Sequence, residues 1–286
     1  MGEYLVFHDV AWHATYAIYF FVIGIVAGLS FLSYASWHLP ALRPLREKSA
    51  YVSFALLVVG GLLLIADLSQ PMRFLNMLNP AYLNFSSPLA WGALNLVAYG
   101  IASVLYLLMM LWKKDEKNGK MLALVTALLA LGLPIYTGFD LTVHQHRPVW
   151  NTPVIPLLFV ALAFSTGSAV GALMSANNAE AQQVLRQFML WSAGAVVVIL
   201  IAIMGTTSYG GSAEELTFML MTSGTMGLLF VGVGFLAGSL APVVMLFAPT
   251  GKSISVILVS ALLILLGSAA VRYVILMAPQ QVQTLF

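Results

Sequence analysis

Eight stretches of this chain stay apolar for long enough to cross a bilayer, and the polar residues collect between them. A spanning helix needs about 20 mostly apolar residues. Windows of that length predict spans over residues 14–36, 50–67, 88–112, 120–140, 153–175, 186–206, 217–247 and 254–277. None of them alternates apolar and polar positions as a barrel strand does, so the spans are helical. The expected fold class is therefore all-α, a polytopic membrane protein of eight transmembrane helices. The seventh run is too long for one upright helix and predicts a tilt or a break around Gly232–Gly238. Glycines four apart, at Gly24–Gly28, Gly167–Gly171 and Gly234–Gly238, let helices approach closely and read as packing devices. The chain divides most naturally after the fourth span. Residues 1–146 and 147–286 are expected to form two four-helix bundles.

Composition supports the pattern. Hydrophobic residues make up 61% of the 286, and only 8% are charged, which no soluble domain of this size resembles. The first apolar run is too long, and too rich in polar aromatics at its start, for a cleavable signal. The formal net charge of +2 gives no reason to expect a nucleic-acid partner, but the placement of the charges is informative. Loops after the odd-numbered spans hold Arg43, Arg46, Lys48, Lys113, Lys114, Lys117, Lys120, Arg186 and Lys252; the other side has Arg73, Arg147 and Arg272. By the positive-inside rule the odd loops are cytoplasmic and both termini lie outside. The run from Lys113 to Lys120 reads as a solvated turn with anchoring lysines.

Candidate chemistry gathers on the outer side. The stretch from Asp67 to Trp91 carries Asp67, Gln70 and Arg73 around Pro71, then Ser86 and Ser87 before Pro88. Ionisable residues kept at a membrane edge are functional candidates; Ser87 reads as a helix cap, with Pro88 in the first turn. Span 1 opens with Trp12, His13, Tyr16 and Tyr19, and the spacing puts Trp12, Tyr16 and Tyr19 on one face. That face is either an interfacial aromatic belt or part of a ligand site. Span 4 ends with Pro134, Tyr136, Thr137 and Asp140, and the next loop holds His144, His146, Arg147, Trp150 and Asn151. Convergence of tyrosine, aspartate, arginine and histidine is what a polar-headed ligand needs. Arg272, near the outer end of span 8, is expected to snorkel; the alternatives are a carboxylate partner or a water-filled path.

The residues also bound the redox chemistry. With no cysteine there is no thiolate to hold an iron–sulfur cluster. All five histidines, His8, His13, His38, His144 and His146, fall at helix ends or in loops, which argues against a haem buried in the spans. Asp140, His144 and His146 have the types but hardly the arrangement of a metal site, since loop histidines usually meet water. No metal site is expected. If the chain takes part in electron transfer, its carrier must be a diffusible, lipid-soluble molecule.

Four segments carry a resemblance. Tyr19-Phe-Phe-Val-Ile-Gly24-Ile-Val-Ala-Gly28, Asp67-Leu-Ser-Gln-Pro71-Met-Arg73-Phe, Ser86-Ser-Pro88-Leu-Ala-Trp91-Gly92 and Arg147-Pro-Val-Trp150-Asn151-Thr-Pro153 stand in order and at the expected intervals. Together they resemble the NrfD-like family, the membrane subunits of polysulfide reductase and of the formate-dependent nitrite reductase system. The match covers spans 1 to 5; spans 6 to 8 agree in length and hydropathy. The resemblance implies eight helices, no haem, and a menaquinone or ubiquinone pocket at the outer face of a bacterial or archaeal cytoplasmic membrane. It implies periplasmic docking to a four-cluster ferredoxin-like iron–sulfur subunit, which contacts a molybdopterin catalytic subunit or a multihaem cytochrome.

The family's quinone-binding tyrosine on helix 4 corresponds to Tyr136. Its first-helix asparagine and histidine, three residues apart, correspond to Tyr16 and Tyr19, which is a departure. His13, one turn earlier, is positioned to supply the missing imidazole, and Gln70 stands where an arginine is usual. The expected site is thus Tyr136, Asp67 and His13 for hydrogen bonding and proton transfer, with Trp12, Tyr16, Tyr19, Arg73 and Trp91 around the head group. The expected function is a quinol-oxidising or quinone-reducing subunit of a respiratory oxidoreductase complex. The alternatives are a structural anchor alone, or a proton-translocating or transport subunit with Arg272 on its path.

Overall fold

The computed structural model describes residues 12–67, 71–79, 81, 83–112, 116–145 and 147–281. All regular structure among them is helical, and eight of the helices are long and apolar enough to span a membrane. The spans are α1 (Ala14–Ala35), α2 (Arg46–Ala66), α3 (Pro88–Leu111), α4 (Glu116–Thr142), α5 (Val154–Met174) and α6 (Ala179–Ser208). A short α7 (Ser212–Thr222) follows, then the spans α8 (Gly224–Phe247) and α9 (Ile254–Met277). The start of α1 and the ends of α2, α4 and α9 share one end of the molecule, called here the Asp67 end.

Helix ends outrun the apolar windows where polar residues continue the helix. α6 begins seven residues before the expected 186, because the Asn178 side chain accepts from the backbone N–H of Ala181 at 3.0 Å and caps it. Ser87 holds the N-cap position of α3 in extended conformation, but its hydroxyl makes no capping bond. Pro88, whose fixed φ suits the first turn, sets that start.

At the centre stands α1, which packs on α2, α4, α5 and α9. Hydrocarbon solvent gives no hydrophobic drive for helices to associate, so close backbone contact has to hold them. The glycine spacings supply it, in pairs that the sequence does not specify. A Cβ added at Gly28 would land on Ala163 and Gly167 of α5, and one at Gly167 would land on Gly28. Gly238 of α8 and Gly267 of α9 meet in the same way. A knot of hydroxyls adds directional bonds. Tyr99 of α3 bonds Ser30 of α1 and Ser53 of α2 at 2.7 Å each, and the two serines meet at 2.9 Å.

The long seventh run is interrupted, though not where its glycines suggested. The chain breaks at Ser223–Gly224, where Gly224 has φ +56, and α7 is a separate helix. Beyond it, Leu228–Leu240 is wound as a π-helix, and the Ser239 hydroxyl bonds the Gly234 carbonyl, five residues back, at 2.8 Å. Gly234 and Gly238 serve contact with α9.

Overpacking a tight contact costs about 1–3 kcal/mol or more, so Gly28→Val should lower the thermal midpoint and the yield of folded subunit. Gly194→Ala and Gly205→Ala are the controls: a Cβ there meets nothing within 4 Å, and alanine favours a helix by up to about 1 kcal/mol. Their midpoint should hold or rise.

Candidate functional site

Polar residues from four helices come together at the Asp67 end. Tyr19 is buried in the second turn of α1, and its hydroxyl bonds the hydroxyl of Tyr136 on α4. The Tyr136 ring lies against Gly92 of α3, where any Cβ would meet the ring carbons. Glycine at residue 92 is therefore a condition of the pair. Pro134, two residues before Tyr136, does not end α4, which continues to Thr142.

Closer to the helix ends sits a second group. Asp67, at the C-cap of α2, accepts a hydrogen bond from the Thr15 hydroxyl and faces His13 Nδ1 at 3.4 Å. The His13 side chain is 69% exposed and that of Asp67 11%, so the pair links the surface to the interior. Tyr16 lies within electrostatic reach of Asp67 and of Asp140; Tyr19 and Tyr136 lie within reach of Asp140. Three phenols and two carboxyls thus form one neighbourhood.

A wall of aromatic rings closes one side. The Trp12 ring stands 4.8 Å from Tyr16, 5.9 Å from His144 and 6.5 Å from Trp150. Trp150 is fully buried and donates its indole N–H to the Ile275 carbonyl at 2.6 Å, while Arg147 donates to the carbonyl of Pro279. Gln280 bonds both backbone groups of Trp12, at 3.1 and 3.2 Å. The loop after α4 and the segment after α9 are therefore tied to the start of α1. Arg147 and Trp150 are structural clamps.

Of the residues expected in the site, Tyr16, Tyr19, Tyr136, Asp67 and His13 meet, and Trp12 borders them. The rings of Trp12, Tyr16 and Tyr19 all stand against Phe20, at 6.0, 6.5 and 5.9 Å, and Tyr19 also reaches α4 through its hydroxyl. His13 reaches Asp67 and stands clear of the tyrosine pair's hydrogen bond. Trp91 is turned away: it is exposed, and its indole bonds the Phe85 carbonyl at 2.9 Å. Arg73 has its backbone in the 3-10 segment Pro71–Leu78, and its side chain lies outside the described residues, as do Gln70 and His146. Among the described residues no three histidine, cysteine, aspartate or glutamate side chains are grouped to hold a metal ion.

Arg272 does not snorkel. It is fully buried, bonds Ser268 and lies 5.7 Å from the Phe159 ring, because Gly24 of α1 leaves a notch that the guanidinium fills. Its Nε and Nη2 have no hydrogen-bond partner among the described residues. Sequence reasoning also missed Thr15, Gln280 and the Tyr99 knot; a lone threonine, glutamine or serine in an apolar helix carries no local signal.

Chemically, the tyrosine pair offers two O–H groups at one point, each able to turn to an oxygen acceptor, beneath an acid–imidazole pair open to solvent. An apolar cleft of about 100 Å³ opens between α1, α4 and α5, lined by Ala27, Phe31, Tyr34, Leu128, Pro134 and Phe164 among others. A head group with two carbonyls would find there only the hydroxyl of Tyr34, so the cleft does not compete for it.

Comparison with known proteins agrees with the fold. The family model described as Polysulphide reductase, NrfD, matches residues 5–283. A polysulfide reductase chain of Wolinella succinogenes is 29% identical over 308 aligned positions, covering 96% of each of the two sequences. A tetrathionate reductase subunit of Salmonella typhimurium is 32% identical over 171 positions, 58% of this sequence and 49% of that one. Protein NrfD of Escherichia coli is 28% identical over 196 positions, 59% and 61% of the two sequences. With the match running through every span, the chain belongs to the NrfD polysulphide reductase family, the multi-pass membrane subunits of respiratory reductase complexes.

Proposed function

We propose that the chain binds the head group of menaquinol or ubiquinol, or the corresponding quinone, between Tyr19 and Tyr136 and exchanges its electrons with a partner subunit. The observation that carries this reading is the meeting of two phenolic hydroxyls, from buried Tyr19 on α1 and partly buried Tyr136 on α4, beside Gly92. A quinone carbonyl accepts from a phenol, and a quinol hydroxyl donates to one, so the same pair serves both redox states. The pair is partly withdrawn from solvent, where each hydrogen bond is electrostatically stronger than in water.

Oxidation of a quinol releases two electrons and two protons. A chain without cysteine holds no thiolate-bound cluster, so the electrons go to the clusters of a ferredoxin-like iron–sulfur subunit. From there they pass to a molybdopterin subunit or a multihaem cytochrome. Protons leave by Asp67, which Thr15 orients and which faces exposed His13; Asp140 is a second acceptor. A carboxylate and an imidazole in sequence are suited to accept and release protons. Charge placement favours the Asp67 end outside, at the periplasmic face, and on that orientation protons are released on the side where the partner docks. An anchor alone would use the tyrosine pair only as a packing bond, as Tyr99 is used with Ser30 and Ser53, and quinol turnover of tyrosine-to-phenylalanine variants separates the two readings.

Tyr136→Phe and Tyr19→Phe should each cut quinol-dependent turnover roughly tenfold, the value of one hydrogen bond of about 1.4 kcal/mol. Assembly of the complex, and turnover driven by an artificial donor to the partner subunits, should stay intact. Unchanged quinol turnover in both variants would remove the pair from the mechanism. Orientation is tested directly because the chain has no cysteine of its own. A Tyr209→Cys variant, at a position 93% exposed, should react with a membrane-impermeant thiol reagent in intact cells, and Lys252→Cys only after permeabilisation. The reverse pattern would invert the topology.

A further inference from the structure

A ligand with a polar head and a long apolar tail reaches a site below the membrane surface from the side, through a gap between helices at the depth of the head group. Most helix pairs around the tyrosines are closed. Gly28 and Gly167 close α1 on α5, and Gly138 on Pro156 closes α4 on α5 nearer the Asp67 end than Pro134, where the apolar cleft between α1, α4 and α5 ends. Gly60 against Ile23, with the Thr15–Asp67 bond, seals α1 to α2. Gly92 under Tyr136, and Asn95 bonding the Leu129 carbonyl at 3.0 Å, seal α3 to α4.

The pair α2 and α3 is different. The two helices touch far less than α1 with α2 or α3 with α4. They are pinned in the middle, where Ser53 bonds Tyr99 at 2.7 Å and where a Cβ on Gly100 would sit 3.8 Å from Leu57. Steps of four residues carry the same face of α2 from Ser53 through Leu57 to Gly61. At Gly61 the face opens, for a Cβ there meets nothing within 4 Å. Gly61 stands five residues below the end of α2 and Tyr19 five below the start of α1, so at 1.5 Å per residue both lie about 8 Å down. On α3, the small and buried Ala93 follows Gly92, the residue that carries the Tyr136 ring. Exposed Leu62 and Leu89 flank the side facing lipid.

We propose that the gap between α2 and α3 at Gly61 and Ala93 is the lateral portal of the quinone site, and that the isoprenoid tail lies in it while the head group is bound. The proposal rests on the assignment of the head group to the tyrosine pair. The Tyr99 knot is its floor: it holds α2 and α3 together below the head group and lets them part above. Small side chains on both walls leave room for a branched tail.

The test is Gly61→Leu, with Gly61→Ala as an intermediate step and Val59→Leu, on the opposite face of α2, as control. Each is assayed in the assembled complex in membranes, with a quinol carrying several isoprene units and with a tail-less benzoquinol. Nothing stands within 4 Å of a Cβ at residue 61, so the thermal midpoint and complex yield should match the parent. The expected result is a KM for the tailed quinol raised roughly tenfold by Gly61→Leu, as if about two methylene groups lost their burial, less by Gly61→Ala, and a tail-less KM unchanged. Equal effects on both substrates, or none on either, would overturn the portal, the latter marking the gap as an ordinary acyl-chain contact. Tyr136→Phe separates the two levels: it should impair both substrates alike, and if it impairs neither, the head-group assignment has failed first.

Discussion

A hydroxyl or amide facing hydrocarbon has no water to fall back on, so every polar group in the spans must find its partner inside the protein. That constraint orders most of this molecule, with Arg272 Nε and Nη2 and the hydroxyls of Ser49, Thr126 and Ser260 among the exceptions within the described spans. Most threonines and serines comply locally, as Thr166 does by bonding the Leu162 carbonyl at 2.8 Å and Ser175 that of Gly171 at 2.8 Å. Tyr99, Ser30 and Ser53 comply across three helices and thereby fix α1, α2 and α3 to one another. Tyr19 and Tyr136 comply through each other. A bond between two neutral hydroxyls is readily exchanged for one to a ligand oxygen, so the same rule that builds the bundle leaves one pair of donors available.

Much of the architecture could be read from the residues in order because span length and hydropathy are local properties. The eight windows, the glycine spacings and the clustering of polar ends all reappear. What failed depended on long-range contacts. Arg272 reads as a snorkelling residue until Gly24, from the first helix, is seen to make room for it. The glycines of the seventh run suggest a tilt or a break; the turn falls at Gly224, while the run around them is π-wound, with Gly234 and Gly238 against α9. Trp91 and Trp150 look alike as polar-aromatic candidates near a helix end. One bonds its own loop at the surface, while the other is buried under α9 by a bond to Ile275 that no local pattern encodes.

The departure from the family's first-helix residues gains a physical meaning. Where the resemblance implies asparagine and histidine, this chain has Tyr16 and Tyr19, and Tyr19 reaches the helix-4 tyrosine. A phenol donates to a carbonyl as an imidazole does, but it does not carry a proton onward near neutral pH. On the proposed reading the proton-handling role passes to Asp67 and His13, the latter 69% exposed. Division of the two tasks between a partly buried hydroxyl pair and an exposed acid–imidazole pair is the chemical logic proposed for this site.

The most direct test is a density map of the assembled complex with a tight-binding quinone analogue. The account predicts a ring between α1 and α4, one carbonyl oxygen within hydrogen-bond distance of the Tyr136 hydroxyl, and the Tyr19–Tyr136 bond opened to admit it. A ring seated elsewhere, with the two tyrosines still bonded to each other, would contradict it.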